Sequence, residues 1–446
     1  MKAGVPAHRF AIIIILPNLP HSAYSAIERT GFDNVRRLPD SNGAMHVRII
    51  PVFTKPKFLM RTATTECPAA ARRDRPVSRR TASRTMNQKT ATDIMQTPSG
   101  SAAPAELIAL SARLGRDETL VQGGGGNTSL KSGNDFWVKA SGTWLAQAET
   151  RDVFVRLPLA RVRALMAEAD AESALTALAG ADGLRPSIET SLHALLPHAV
   201  VAHVHSVNAI AWAIRPDAEQ ALARALEGLS WAWVPYRRPG LPLTDAIRSA
   251  LAAAPVPPDI LLLANHGLVI GGSDCATAEA RLRDVERRLA LPLRAAPGPD
   301  LDRLQIVNDA GWTIADAPLP HAIGTDAIAC GIAVRGSLYP DHVVFLGERA
   351  AVADEHRPLS RVIADATADD RAPPVYVVVP GAGVLLSPAL SDGARAMLGC
   401  LAQVGLRSST AEALNYLDID DVAALIGWEA EAYRLARNHI DTAAGA

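Results

Sequence analysis

The sequence predicts an α/β protein, and three observations carry that reading. From about residue 100 to residue 292, helix-like and strand-like segments alternate. A Pro/Ala/Gly-rich stretch, Pro292 to Pro299 (PLRAAPGP), then breaks the pattern. Beyond it, residues 300–446 carry further strand-like apolar runs and at least one helix, closing on a terminal helix rich in Ala and Glu. The expected organisation is a domain over 100–292, an α/β subdomain over 300–446, and a segment of other composition over 1–95.

The elements follow in order. Ala105 to Leu114 (AELIALSARL) has the apolar spacing of a short amphipathic helix. TSLK and FWVKAS alternate like strands around Ser132-Gly133-Asn134-Asp135, which predicts a hairpin. Residues 159–180 read as an Ala-rich helix, and Ser187 to Leu196 (SIETSLHALL) as a helix feeding the strand HAVVAHVHS. Residues 217–227 read as another helix. Asp259 to Ala264 (DILLLA) reads as a buried strand ending at Asn265-His266-Gly267, and Thr277 to Leu289 as a charged amphipathic helix. After the linker, PDHVVFLG, which reads as a strand start, PPVYVVVPGAGVLLS and SDGARAMLGCLAQVGL suggest strands with at least one helix, with no internal repeat.

Bulk numbers narrow the class. Hydrophobic residues make up 48% of 446 and the formal net charge is -1, as in ordinary soluble globular proteins. The longest apolar run, Phe10 to Leu16, falls far short of the roughly 18–20 residues that span a membrane. The four cysteines (Cys67, Cys275, Cys330, Cys400) are scattered without a CxxC pair, which fits a reducing cytoplasm better than a disulfide framework or a zinc ribbon.

The balanced charge hides an asymmetry. Residues 1–90 hold 16 Lys or Arg against 5 Asp or Glu, and the rest hold 29 against 41. The segment AAARRDRPVSRRTASRT is Arg- and Ser/Thr-rich and nearly free of acids. It reads as a disordered basic tail, in part upstream sequence preceding Met86, or as an organellar transit peptide, or as a basic nucleic-acid arm. No function is assigned to it.

The chemistry centres on VVAHVHS, residues 200–206. On a strand, His203 and His205 share one face, so their imidazoles can converge on one ion with Zn–N bonds of about 2.0–2.1 Å. Two such histidines are also compatible with hydrogen-bonded core residues. His266, placed by NHG just after a buried strand, could supply a third nitrogen, and three imidazoles with an open position suit a catalytic metal. Glu189 in PSIETSLH could bind that ion or move a proton, or it could be a solvated helix-start glutamate. The run GGGGNTS, Gly123 to Ser129, lets several backbone N–H groups face an anion, or is a flexible loop; no Lys-Ser/Thr follows as in a Walker A loop. Ala140-Ser141-Gly142 could add a hydroxyl and another N–H.

In order, GGGGNTSLK, WVKASG, PSIETSLH, HVHS and NHG resemble the class II aldolase/adducin family over roughly residues 105–290. The stretches GSLYPDHVVFLG and VPGAGVLLS further resemble the aldolase portion of bacterial bifunctional aldolase/short-chain dehydrogenase proteins. The family resemblance, which extends to the fuculose- and rhamnulose-phosphate aldolases, implies a three-layer α/β/α domain with a C-terminal α/β extension. It implies His203, His205 and His266 as ligands of a divalent metal, Zn2+ foremost with Mn2+, Fe2+ or Co2+ as alternatives. It implies Glu189 as the acid/base, and Gly126, Asn127, Ser141, Gly142 and Ser187 as the cradle of a substrate phosphate. The implied enzyme is a lyase that cleaves a ketose phosphate, or a related sugar derivative, through a metal-stabilised enediolate. It would be a cytoplasmic homotetramer acting on a small molecule, with neither nucleic acid nor membrane as partner.

Two departures stand out. Where the small-sugar aldolases carry two adjacent serines before the glutamate, this chain has Ser187-Ile188, and its interval from Glu189 to His203 is shorter. Decarboxylation, dehydration or epimerisation of a sugar-acid or ketose phosphate would use the same residues. A non-catalytic adducin-like assembly module would not need the three histidines. His193 and His198 read as packing or surface groups. Asp341-His342 reads as a strand start or as a pair reaching a site from the second subdomain or a neighbouring subunit. Tyr416 and Tyr433 could close over substrate, although no spacing supports it.

Overall fold

The computed structural model describes residues 35–39, 45–49, 102–179, 183–368 and 373–443. The chain forms two compact units, Met1–Thr85 and Met86–Ala446. In the first, strands β1 (Val35–Pro39) and β2 (Met45–Ile49) pair as an antiparallel ribbon, with Val35 opposite Ile49. The rest of the basic tail expected over residues 1–95 lies outside the described residues. Among the described residues, no helix is long and apolar enough to cross a membrane.

The second unit holds a seven-stranded sheet. Its strands are β3 (Asn127–Ser132), β4 (Asp135–Lys139), β5 (Phe154–Pro158), β6 (Val200–Val204), β7 (Trp231–Val234), β8 (Ile260–Leu263) and β9 (Gly267–Gly272). They lie in the order β5-β4-β3-β6-β9-β8-β7, so β6 is central. Neighbours are antiparallel except β7 and β8. The hairpin turn forms where expected, with Gly133 at φ 61° relieving the backbone of a Cβ clash.

Period-2 alternation builds the layers. Val200, Ala202 and Val204 enter one core with Leu107, Leu110 and Leu282 from the helices Ala105–Gly115 and Cys275–Leu289. Val201, Leu261 and Val269 enter another with Leu192, Leu243 and Ile247 from the helices Thr190–Leu195 and Leu241–Ala253. Helices therefore cover both faces, the three-layer α/β/α arrangement.

A four-stranded sheet follows, built from β10 (Thr313–Ile314), β11 (Ala351–Val352), β12 (Tyr376–Val379) and β13 (Gly383–Leu386) in the order β10-β13-β12-β11. Here too the side chains alternate. Tyr376, Val378 and Val384 face one core, and Val377, Val379 and Leu385 face the other. The first of these cores also takes Val207, Ile210 and Ile214 from the helix Val207–Ala213 and its C-cap, which follow β6. The residues after 300 thus share a core with those before 292.

Three expectations are corrected. PDHVVFLG is the helix Pro340–Leu346, not a strand. Proline in its first turn, Asp341 beside it and Gly347 at φ 89° after its end are helix boundary signals, whereas the apolar run between them is neutral as to period. The single helix expected over 159–180 is, within the described residues 159–179, two helices, Leu159–Leu165 and Ala171–Thr176, separated by the polar stretch around Glu168–Asp170. The helix expected from Ser187 starts at Thr190, because the Ser187 hydroxyl accepts from the Glu189 N–H at 3.2 Å and its carbonyl from the Thr190 hydroxyl at 2.6 Å. That local turn leaves Glu189 as a non-helical N-cap (φ -99°, ψ 13°) facing the sheet.

Candidate metal centre and active site

β6 aims His203 by simple alternation. It shares a face with Val201, and its Nδ1–H donates to the Leu268 carbonyl of β9 at 3.1 Å. His205 lies just past the strand end. His266 returns to the same point because Asn265 reverses the chain at φ 51°, the only non-glycine positive φ among the described residues. The Asn265 amide donates to the carbonyls of Leu338 (2.9 Å) and Asn415 (2.6 Å), and this locks the turn.

The three Nε2 atoms converge. His203 Nε2 lies 3.2 Å from that of His205 and 3.3 Å from that of His266. Tetrahedral ligands at Zn–N bonds of about 2.0–2.1 Å stand about 3.3–3.4 Å apart, so these gaps match two edges of such a site. A carbonyl only accepts, so His203 Nδ1 carries its proton and Nε2 presents a lone pair. Burial lowers the His203 pKa and pushes His266 down to about 3, in both cases against the pull of Glu189. His203 Nε2 thus turns its lone pair toward two further ring nitrogens 3.2 and 3.3 Å away, a spacing at which one cation can bind all three. The donor set therefore fits a divalent ion.

Glu189 stands beside this cluster. Its Oε2 is 3.3 Å from His203 Nε2 and its Oε1 3.5 Å from His266 Nε2. Burial favours its neutral acid, but the facing imidazoles and the Asn127 amide hold the carboxyl below the usual carboxylate range. Asn127 pairs with His203 across β3 and β6 and donates to Glu189 Oε2 at 2.8 Å. Its other amide atom meets His193 Nε2, and His193 Nδ1 bonds Ser129 Oγ at 2.7 Å. Asn127 thus braces the glutamate through its amide N–H, while its amide oxygen is held by His193. His193 is a buried member of that brace, and His198 pairs instead with Asp259 at 2.9 Å.

Gly126, Asn127, Ser141, Gly142, Ser187, Glu189, His205 and His266 line one cavity. His203 stands behind them, fully buried. Gly126 (φ 60°) and Gly142 (φ 77°) both need the freedom of glycine, and a Cβ on Gly142 would strike Arg437 of the helix Glu429–Ala443.

Four further charged residues line the cavity: Lys139, Asp341, Glu431 and Arg434. Lys139 Nζ, buried, donates to the Gly124 carbonyl at 2.8 Å; burial and the nearby Arg434 bring its pKa down to about 7. Asp341 Oδ2 lies 2.9 Å from His205 Nδ1, and its Oδ1 accepts from Arg434 at 2.6 Å. Arg434 also reaches Glu431 at 3.2 Å. WVKASG marks Lys139 only as a neighbour of a polar turn, whereas YPDHV raises Asp341 as one of a pair reaching a site from the second subdomain, and of that pair Asp341 lines this cavity. Nothing in the sequence marks Glu431 or Arg434. Tyr433 stacks with Arg185, and Tyr416 donates to the Ala411 carbonyl at 2.6 Å.

Residues 105–292 match the family model for the class II aldolase and adducin N-terminal domain. The chain is 35% identical over 187 residues to the uncharacterized oxidoreductase YuxG of Bacillus subtilis (strain 168), covering 39% of this chain and 27% of that protein. It is 29% identical over 212 residues to a probable bifunctional methylthioribose-1-phosphate isomerase/methylthioribulose-1-phosphate dehydratase of Nocardia farcinica (strain IFM 10152), covering 43% of this chain and 36% of that protein. The chain thus spans about a third or less of the length of these relatives. A solved N-terminal class II aldolase domain of a conserved protein from Thermoplasma acidophilum shares 25% identity, covering 44% of this chain and 97% of that one, with a TM-score of 0.37.

Proposed function

With residues 105–292 forming a class II aldolase and adducin domain, we propose that this chain is a metal-dependent lyase acting on a ketose phosphate or a related sugar derivative. The observation that carries the proposal is the convergence of three imidazole Nε2 atoms with the Glu189 carboxylate beside them. An assembly module has no use for three buried imidazoles whose ring nitrogens meet at one point.

His203, His205 and His266 would hold the ion. When bound, it supplies Lewis acidity to the oxygens of a hydroxy-carbonyl substrate. Glu189, ionised and buried, takes a proton from the carbon beside the carbonyl in the condensation direction. In the cleavage direction the proton that leaves the substrate hydroxyl, as the C–C bond breaks and releases an aldehyde, passes to Glu189, which delivers it to the same carbon. Asn127 fixes the carboxylate for this exchange. Gly126, Ser141, Gly142 and Ser187 position the far end of the substrate, and Lys139 supplies positive charge on the same wall.

The name of the Nocardia farcinica relative includes a dehydratase. Dehydration needs the same proton abstraction, with a hydroxyl leaving in place of an aldehyde. One experiment separates these outcomes. The metal content of the full chain is measured. The protein is then supplied with dihydroxyacetone phosphate and short aldehydes, with ketose phosphates scored for loss of water, and with 3-oxo acid phosphates scored for loss of carbon dioxide. Glu189→Gln should keep its metal and lose roughly 10²–10⁴-fold in rate. Absence of stoichiometric metal, or full activity of Glu189→Gln, would sink the proposal.

A further inference from the structure

We propose that Asp341 is a positioning residue for the metal centre, holding His205 in the one ring orientation and tautomer that present Nε2 to an ion. Region 300–446 then belongs to the centre itself rather than being an appendage to it. The inference rests on the metal reading above and extends it to residues outside 105–292.

Four observations support it. Asp341 Oδ2 stands 2.9 Å from His205 Nδ1, so a proton on Nδ1 is stabilised and the lone pair is left on Nε2. Asp341 does not stand free to wander. Arg434 holds its other oxygen at 2.6 Å, Glu431 holds Arg434 at 3.2 Å, and all three side chains are buried. The glycine loop is built around this contact. A Cβ on Gly125 would stand 2.8 Å from Asp341 Oδ2 and 2.9 Å from His205 Nδ1, so only glycine leaves the pair its space. The downstream region also holds the third ligand, because Asn265 beside His266 is anchored to the carbonyls of Leu338 and Asn415. Two of the three imidazoles are therefore set by chain that lies beyond residue 300, and only His203 takes its orientation from the sheet alone.

The test uses the full chain and reads metal binding directly. Zinc affinity is measured by competition with a chromophoric chelator for the unaltered protein, His203→Ala, Asp341→Asn and the double variant Asp341→Asn with Arg434→Gln. The double variant avoids leaving a buried guanidinium without its partner, so a folded protein remains available if the single change unfolds. The visible spectrum of the cobalt(II)-loaded protein reports ligand geometry, and circular dichroism reports folding. The expected result is a 10–100-fold weaker zinc affinity in the folded Asp341 variants, with a shifted cobalt spectrum. His203→Ala should bind weaker still. Unchanged zinc affinity and cobalt spectrum in the Asp341 variants, with the unaltered protein binding tightly, would overturn the positioning role and leave the metal reading standing. Failure of the unaltered protein to bind any ion would overturn both.

Discussion

Gly125→Ala places one methyl group where the Asp341–His205 contact now sits. The new Cβ would stand 2.8 Å from Asp341 Oδ2, 2.9 Å from His205 Nδ1 and 3.0 Å from the Gln122 carbonyl. Non-bonded heavy atoms settle at about 3.5 Å or more, so each contact is too short by roughly half an ångström. None of the three neighbours retreats cheaply. Asp341 is pinned by Arg434, His205 packs against His203, and the Gln122 carbonyl belongs to the backbone and accepts from the Gly125 N–H at 2.9 Å. The backbone at Gly125 is not in the left-handed region, so the effect is steric alone. Overpacking of this kind costs about 1–3 kcal/mol. Prying Asp341 from His205 should also weaken zinc binding about tenfold, the lower end of what loss of a ligand's partner brings. Urea unfolding and chelator competition measure the two effects. Gly133→Ala is the matched control: its φ is 61° and nothing lies within 4 Å, so it should cost about 1–2 kcal/mol through backbone strain and leave metal affinity untouched. A Gly125→Ala protein of unaltered stability and zinc affinity would refute the reasoning, and so would a Gly133→Ala protein that loses metal.

Two other outcomes are expected. Lys139→Met should raise KM for an anionic substrate by roughly 10–100-fold and weaken competition by inorganic phosphate in parallel. With the Lys139 ammonium titrating at about 7, KM of the unaltered protein should rise as pH climbs through that value, and the variant should be flat. His342 is buried with its Nδ1 accepting from the Leu338 N–H at 3.3 Å, and burial pushes its pKa from 6.5 down to about 3. The unfolded chain therefore takes up this proton first. The stability contribution is intact above about pH 6.5 and is lost as pH falls toward 3, by up to about 5 kcal/mol. His342→Leu should flatten that part of the stability–pH curve, as read by urea unfolding from pH 7 to 4, and a slope equal to that of the unaltered protein would contradict it.

What the sequence made legible was local. The hairpin around Gly133, the strand that carries His203 and the buried strand before His266 all follow from period and turn chemistry within a few residues. The helix Pro340–Leu346 was misread because its apolar run satisfies either period and only its boundary residues discriminate. Arg434 and Glu431 were invisible for another reason. A charged pair on a terminal helix reads as a solvated face, and only tertiary packing reveals that its partner is a buried aspartate 93 residues away. Asn127 illustrates a third limit. Its place in the glycine-rich run suggested anion binding, yet its amide is taken up by Glu189 and His193, a pairing set by the register of β3 against β6.

The helix Val207–Ala213 begins three residues after β6 ends and belongs to two cores at once, with Ala209 on the sheet side and Val207 and Ile210 on the side of the second sheet. It behaves as a shared rafter: loosening either roof loads the same beam. A chimera that joins residues 105–292 to a foreign downstream region would inherit the rafter with half its bearing surface cut to another shape. Transplanting chemistry between relatives of this architecture therefore requires moving the seam past the rafter, carrying both cores together, rather than cutting at the Pro-rich stretch where composition invites the cut.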